Sequence, residues 1–507
     1  MTFPFEQLAA LNVPITRLVT DSREVKHGDT FVAYPGEKID GRQFIAQAIT
    51  QGANAVIYEK LLSGHHSEGQ HFDWNAAWEV PNLGVSDLRH KAGWLADSVY
   101  GRPSEKLKLV GITGTNGKTS TCHWIAQALN DAAMKCALIG TLGNGFADAL
   151  QASANTTPDA IRVHGLLAGY LRDGARAVAM EVSSHALAQG RVNGVRFNVA
   201  LLTNLSRDHL DYHGNMESYA ASKRKLFNWD QLKYAVLNLD DAFGVELAEQ
   251  LQDQEVGVIG YGLSDAALQF AERLGIRMVY GHLVEMSAHG LKLDVHSSWG
   301  GAQLSSVLIG RFNAANLLGA LAVLLASDIG LSDAVQSLSK VRAVAGRMQR
   351  LGGAQQPTVI VDYAHTPDAL ENVLLTLREV SAPDTSKLFC VFGCGGDRDR
   401  GKRAMMGKVA AKYADYCVVT SDNPRSEDPR DIIAEIVSGM SGDNYEIIEE
   451  RALAIQRAIG RAQQNDTVLI AGKGHEGYQE INGVKHPFSD VLVAQQALQV
   501  THAEVRA

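Results

Sequence analysis

Residues 111–120 read Gly-Ile-Thr-Gly-Thr-Asn-Gly-Lys-Thr-Ser, with the apolar run 107–110 before them and a helix-like stretch, 122–129, after them. The order strand, glycine loop, helix is that of a phosphate cradle. Glycines 114 and 117 let backbone N–H groups close around phosphate oxygens, Lys118 brings a mobile positive charge, and the Thr119 hydroxyl at the helix start can ligate Mg²⁺. A nucleoside triphosphate site is therefore expected. The strict P-loop pattern has glycine five residues before Gly117, where Ile112 stands, so the match is to a shorter variant, Gly-Thr-Asn-Gly-Lys-Thr.

The 507 residues are too many for one core and point to roughly three to four units. A hydrophobic content of 46%, a charged content of 20% and 48 glycines describe an α/β enzyme rather than a disordered or fibrous chain. The first ten residues carry no basic-then-apolar signal, and no uninterrupted apolar run reaches the roughly 18 residues of a membrane span, so a cytoplasmic location is expected. A net charge of -9 argues against a nucleic-acid partner, which needs a basic face. The five cysteines, at 122, 136, 390, 394 and 417, are scattered and odd in number, as reduced thiols are, and Cys390 and Cys394 lack the partners of a zinc site.

Three segments follow from the pattern. In residues 1–100, strands at 30–34 and 55–58 alternate with a helix at 43–50, and a polar stretch with three histidines, 63–71, reads as a solvated loop. Gly101-Arg-Pro-Ser104 supplies linker chemistry. In residues 101–345, strand patterns at 177–180, 199–203 and 234–238 alternate with helices, as a parallel sheet requires, while 277–309 reads as antiparallel hairpins before a helix near Asn313. In residues 346–507, strands at 359–362, 387–392, 416–420 and 467–471 each end in a polar or glycine-rich loop, and Thr366-Pro367 is a helix start. The fold class is α/β in three domains: a central, mostly parallel P-loop sheet with helices on both faces, and a Rossmann-like third domain. Ligands gather at the carboxyl ends of such strands.

Several groups at those ends can do chemistry. Glu181, after an apolar strand in the same sheet as the glycine loop, suits a Mg²⁺ ligand. The loop Asn204-Leu-Ser-Arg-Asp-His209 crowds acid, base and guanidinium together, with His209 the better candidate than His213 for a metal or phosphate role. Ser222-Lys-Arg-Lys225 reads on its own as a solvated helix face. Arg347 and Asp362-Tyr-Ala-His365 are polar groups that a closing domain can bring to a nucleotide. The loop 393–402 evokes a dinucleotide fingerprint, but the third glycine is misplaced and charges fill it. Ser421-Asp-Asn-Pro-Arg425, Gly472-Lys-Gly-His-Glu476 and Arg398 supply the guanidinium, amide and carboxylate groups that hold a zwitterionic amino acid.

The chain resembles the Mur ligases through all three segments, on Asp21-Ser-Arg23 with Asp40-Gly41, Asn155-Thr-Thr-Pro158, Glu181-Val-Ser-Ser-His185, Gln189-Gly-Arg191, Gly346-Arg-Met348 and Asp422-Asn-Pro-Arg425. The resemblance implies an ATP-dependent ligase of peptidoglycan precursor synthesis that adds meso-2,6-diaminopimelate to the D-Glu γ-carboxylate of UDP-N-acetylmuramoyl-L-Ala-D-Glu through an acyl phosphate. It gives Gly114, Thr115, Asn116, Gly117, Lys118, Thr119 and Ser120 to the ATP phosphates, with Asn313, Arg347, Asp362 and His365 reaching the nucleotide from across an interface. Thr119, Glu181, His209 and Lys223 would surround Mg²⁺, Lys223 as the CO₂-derived carbamate N6-carboxylysine, and Lys118, Glu181, His209 and Lys223 form the implied catalytic set. Ser22, Asn155, Thr156, Thr157, Ser183, Gln189 and Arg191 fall to the UDP-sugar-peptide. Arg398, Asp422, Asn423, Pro424, Arg425, Gly472 and Glu476 fall to diaminopimelate. Arg425 is the implied selector, because diaminopimelate has a second carboxylate and lysine would leave the guanidinium unpaired. The resemblance also implies a monomer with small-molecule partners and a third domain that closes to keep water from the acyl phosphate. The alternatives are a lysine-adding or folate-type ligase of the same family, a P-loop phosphotransferase, and a scaffold that has lost catalysis.

Overall fold

The computed structural model describes residues 3–37, 39–60, 72–153, 155–353, 355–381 and 386–504, with side chains through 499; the histidine-bearing stretch 63–71 lies outside them. Three large sheets follow one another along the described residues, and a two-stranded hairpin, Tyr478–Ile481 with Val484–Pro487, makes a fourth. The first has four parallel strands in chain order, Leu18–Val19, Thr30–Ala33, Ala55–Glu59 and Asn82–Val85. Glu59 ends the third of these, and its buried carboxylate accepts the backbone N–H groups of Asp87 and Leu88, which satisfies donors that open the helix Leu88–Val99.

The central sheet has ten strands. Seven run parallel, in the order Arg277–Ser287, Gly257–Gly262, Tyr234–Asn238, Val199–Leu202, Lys108–Thr113, Ala177–Glu181, Cys136–Gly140. The antiparallel hairpins foreseen in 277–309 form one edge as Gly290–Ser297 and Gly300–Ser306, and Gly143–Gly145 forms the other. Apolar side chains alternate along each strand, so both faces are covered. Val110 and Ile112 pack with Trp124, Leu317 and Leu338 under helices Lys118–Asp131, Arg311–Ala326 and Leu331–Ser339. Leu109 and Val178 pack with Leu167, Leu247 and Phe270 under Ala160–Arg172, Ala242–Leu251 and Asp265–Leu274.

The third sheet is ordered Gln349–Gly352, Thr358–Asp362, Thr467–Ala471, Leu388–Phe392, Tyr416–Val419, Tyr445–Ile447, parallel but for the first. Thr366 caps the helix Pro367–Val380, accepting from the Ala369 N–H at 3.2 Å with Pro367 at the first helical position. All five cysteines are buried and unbridged. Among the described residues, no helix is long and apolar enough to cross a membrane.

What positions the site is strand order. Lys108–Thr113 lies between Val199–Leu202 and Ala177–Glu181, with Ile112 opposite Glu181 and Thr113 opposite Leu202. The glycine loop, Glu181 and the loop after Leu202 therefore leave the sheet side by side, at the place where the chain turns from one side of the sheet to the other. The first unit is held against the central unit where helix Leu88–Val99 meets the turn at 189–194: a Cβ on Gly93 would stand 2.0 Å from the Asn193 carbonyl oxygen. Gly93→Ala should cost about 1–3 kcal/mol through that backbone clash, seen as a lower thermal midpoint with unchanged far-ultraviolet circular dichroism.

Candidate active site

The glycine loop is shaped by its neighbours. Gly114 has φ +144°, and a Cβ there would lie 1.9 Å from Thr203 Oγ1; Gly117 has φ +85°, and its Cβ would lie 2.8 Å from the Asn316 amide. Only glycine meets both demands. The following strand's loop holds the cradle: Asn204 Oδ1 accepts from the Asn116 N–H at 2.9 Å, and the Thr115 hydroxyl donates to the Ser206 carbonyl at 3.0 Å.

Two lysines converge on this loop. Lys118 Nζ donates to the carbonyls of Gly114 and Thr115, and Lys223 Nζ donates to Gly114, all at 2.8 Å. Lys223 is 1% exposed and stacks 4.4 Å from the Tyr219 ring. Burial, and then the Lys118 charge, push its pKa well below that of an ordinary lysine, so its amine is readily neutral. Burial lowers Lys118 too, partly offset by Glu181 and Asp208. Helix Met216–Arg224 thus does not present 222 and 223 to solvent: Tyr219, Ser222 and Lys223 form its buried side, while Lys225 beyond its end is exposed.

Glu181, 1% exposed, accepts from the Thr119 hydroxyl at 2.9 Å, the Thr141 hydroxyl at 3.1 Å and the Thr141 N–H at 2.8 Å. His209 sits at φ +55° with Nε2 3.3 Å from Asp208 Oδ2, and burial takes its imidazole down to about 3. Burial opposes the charge on Asp208, but His365, whose Nε2 is 3.6 Å away, together with His209 and Lys402 outweighs it and holds the carboxyl well below its usual range. Among the described residues no three His, Cys, Asp or Glu side chains form a ready metal cluster. One carboxylate and one hydroxyl beside a phosphate loop nonetheless suit Mg²⁺, which keeps waters and takes phosphate oxygens for the rest of its shell.

A cavity of about 250 Å³ lies over the loop, lined by residues 115–120, Thr141, Thr156, Glu181, Ser183, His209, Lys223 and Asn313, and from the third unit by Arg347, Asp362 and His365. Arg347 donates to Thr119 Oγ1 at 3.5 Å, and its guanidinium lies 4.2 Å from the Tyr363 ring centroid. Asp362 caps its neighbours instead, accepting the N–H groups of Met348 and Ala364, each at 2.7 Å. Asn313 ties back to the Ile309 carbonyl at 2.8 Å.

The residues assigned to the sugar-peptide divide between two places. Ser22 and Asn155 line a cavity of about 1650 Å³ between the first sheet and helix Ala160–Arg172, whereas Thr156 and Ser183 line the smaller one. Thr157 is fully buried and serves as a brace, donating to the Glu181 carbonyl at 2.7 Å and accepting from the Ser183 N–H at 3.1 Å. Arg191 is clamped to Gln189 Oε1 at 2.7 Å and the Thr157 carbonyl at 2.9 Å.

In the third unit the motif residues do meet. Asn423 donates to Glu476 Oε2 at 2.8 Å, and the Arg425 guanidinium donates to the Gly396 carbonyl at 2.7 Å, with Nε 3.4 Å from Glu480 Oε2. Arg425 has φ +53°, held by backbone hydrogen bonds to Glu480 and Asn482 on both sides. Pro424 lies between them in the chain, and a Cβ on Gly472 would stand 2.7 Å from Asp422 Oδ2. Arg398 is tied only loosely by what is described, to the Asp397 carbonyl at 3.4 Å.

Sequence reading passed over four residues. Lys473, fully buried, joins Asn423 Oδ1 at 3.0 Å to Glu476 Oε2 at 3.1 Å, with Asp422 Oδ1 at 3.6 Å. Asp208 and Thr141 complete the surroundings of His209 and Glu181, and Asp368 Oδ2 accepts from Asn116 at 3.0 Å and Ser206 at 3.1 Å. Lys473 and Asp208 stood inside quoted motifs; Thr141 and Asp368 had no local signal, since their partners are 40 and 252 residues away.

Models of the Mur ligase family, catalytic domain, the Mur ligase middle domain and the Mur ligase, glutamate ligase domain match residues 14–100, 112–324 and 346–474. A UDP-N-acetylmuramoyl-L-alanyl-D-glutamate--2,6-diaminopimelate ligase of Chromobacterium violaceum is 50% identical over 491 residues, 97% of this chain and 96% of its own length. The ligase of that name from Nitrosomonas europaea is 50% identical over 501 residues, 97% of this chain and 94% of its own. A solved structure of a ligase so named shares 35% identity over 99% of this chain and 100% of its own, with a TM-score of 0.65. With its fold, its cation-lined phosphate loop and matches along nearly its whole length, this chain belongs to the Mur ligase family.

Proposed function

We propose that this protein joins meso-2,6-diaminopimelate to the D-Glu γ-carboxylate of UDP-N-acetylmuramoyl-L-Ala-D-Glu, using ATP, in the cytoplasm and as a monomer. The observation that carries the reading is one site with two chemistries. A phosphate loop flanked by two desolvated lysines is linked through Arg347, which donates to Thr119 and lies 3.3 Å from His475 Nδ1, to the third-unit loop whose Glu476 pairs with Asn423, near Arg425 and Arg398. A phosphotransferase has no use for the second part, and a scaffold that has lost catalysis has none for Lys118, Thr119, Glu181, His209 and Lys223. The relatives' names and the residues of the Asp-Asn-Pro-Arg run support diaminopimelate over lysine.

The three units are read as residues 1–100 for UDP, 101–345 for ATP and 346–507 for the amino acid. The UDP group belongs with Ser22 and Asn155 in the large cavity, and the peptide extends toward Thr156 and Ser183 near the loop. A γ-carboxylate oxygen of D-Glu attacks the terminal phosphorus of ATP, ADP leaves, and an acyl phosphate forms. Lys118 and the loop N–H groups hold the charge of the transferring phosphoryl group. Mg²⁺, for which Glu181, Thr119 and His209 are the ligands at hand, supplies further charge neutralisation. Lys223, as a carbamate, would turn a cation beside the loop into a carboxylate-like anion. Arg425 pairs the distal carboxylate of diaminopimelate, Arg398 the proximal one, and Glu476 with Asp422 faces ammonium charge. The free amine attacks the acyl carbonyl and phosphate leaves. Contacts of Asp368 and His365 with the 204–209 loop seat the third unit over the site, where they exclude water from the acyl phosphate.

ADP release should require the UDP-muramoyl dipeptide together with meso-diaminopimelate, and L-lysine should not replace the latter; turnover with lysine alone would overturn the reading. Arg425→Ala should lose diaminopimelate use by about 100-fold or more, the order of a removed charged partner, with nucleotide binding intact. For Lys223, the lowered pKa makes the amine neutral at a lower pH than in free lysine. A ¹³C carbamate signal from ¹³CO₂ is therefore expected at pH 7–8, disappearing in Lys223→Arg, and its absence from the unmodified protein would remove the carbamate from the scheme.

A further inference from the structure

Three consecutive side chains after strand Val199–Leu202 reach the third unit, two of them at the 365–368 turn and one at the loop before helix Gly401–Tyr413. Ser206 Oγ donates to Asp368 at 3.1 Å, Asp208 Oδ2 lies 3.6 Å from His365 Nε2, and between them Arg207 forks onto Asp399, Nε to Oδ2 at 3.1 Å and NH2 to Oδ1 at 3.2 Å. The same loop grips the phosphate cradle, through Asn204 Oδ1 on the Asn116 N–H at 2.9 Å and the Ser206 N–H on the Thr115 hydroxyl at 3.0 Å. It is thus bonded on one side to the nucleotide loop and on the other to the amino-acid unit.

Asp399 directly follows Arg398, and its Oδ1 also accepts the Gly401 N–H at 2.9 Å, which fastens the loop where it enters helix Gly401–Tyr413. The fit is close: a Cβ on Gly401 would stand 2.6 Å from Arg207 NH2. Asp399 is 9% exposed in its side chain, so the fork is partly desolvated and worth more than an open surface pair. Arg398, one residue away, is otherwise lightly held. We infer that Arg207 is a positioning residue of the amino-acid site: its forked pair with Asp399 fixes Arg398 for the amino-acid carboxylate and ties that affinity to the state of the phosphate loop.

The inference rests on the proposed function, and the test separates the two. Amino-acid and ATP KM values are measured with UDP-muramoyl dipeptide and Mg²⁺ present, and meso-diaminopimelate is titrated calorimetrically with and without a non-hydrolysable ATP analogue. In the unaltered protein the analogue should tighten amino-acid binding, and no tightening there would overturn the coupling. Arg207→Ala should raise the amino-acid KM roughly tenfold, leave the ATP KM nearly unchanged and abolish the tightening. Asp399→Asn should behave alike, the double variant no worse than either, and Arg207→Lys should fall between, since lysine keeps the charge without the fork. Equal rises in both KM values, effects that add in the double variant, or tightening that persists in Arg207→Ala would overturn the role of Arg207. No turnover of meso-diaminopimelate by the unaltered protein would instead overturn the proposed function.

Discussion

One carbonyl oxygen, that of Gly114, accepts hydrogen bonds from two lysines, the half-buried Lys118 and the fully buried Lys223, at 2.8 Å each. Like charges brought together away from water repel strongly, and burial lowers both pKa values. The carboxylates that answer them, Glu181 and Asp208, come from the two strands flanking the loop, so the balance exists only because the sheet places those strand ends side by side. A site built this way accepts added negative charge at little electrostatic cost. Phosphoryl groups and a carbamate are the anions that suit it, and a preorganised field of this kind is what a phosphoryl-transfer step requires.

The second constraint is that the chemistry is split between units. Contacts between the central and third units among the described residues include a polar set, Asn116 and Ser206 to Asp368, Arg207 to Asp399, Asp208 to His365 and Arg347 to Thr119, beside an apolar patch where Ile309 and Phe312 pack against the third unit's core. Polar inter-unit contacts of this kind separate and re-form more readily than an apolar core does. Part of the backbone strain lies near the same boundary, the rest being spread over Asn12, Asp87, Arg102, Ala133, Gln231, Asp328 and Asn482. His209, Met348, Asp397 and Arg425 all have φ between +47° and +55°, and each is next to or within a loop facing it. Non-glycine residues hold such conformations only where their surroundings enforce them, at a cost of order 1–3 kcal/mol each. At Arg425 the enforcement is visible in the backbone hydrogen bonds to Glu480 and Asn482 that fix where its guanidinium is presented.

The sheets were legible because a parallel strand covered on both faces is a short apolar run ended by a glycine or polar loop, and 107–113, 177–181, 199–202, 359–362, 388–392, 416–419 and 467–471 all have that form. The phosphate loop was legible because its ten residues act as one local unit. The local charge run alone gave Lys223 as solvated, although Tyr219, Ser222 and Lys223 at i, i+3 and i+4 share one helix face, because a lysine is ordinarily exposed. Thr157 was read as a substrate contact, and the structure adds that its buried hydroxyl bridges Glu181 and Ser183, partners the local sequence does not announce.

By itself, then, the sequence determined the α/β class, the phosphate loop and the identity of the residues in each strand-end motif, because these depend on hydrophobic period and on contacts within a few residues. Only the tertiary structure decided that Glu181 binds Thr119 and Thr141, that Lys223 is desolvated beside Lys118, that Lys473 joins Asn423 to Glu476, and that Arg207 reaches Asp399. Burial and long-range pairing set the charge and aim of a polar side chain, and strand order fixes both across separations such as the 192 residues between Arg207 and Asp399.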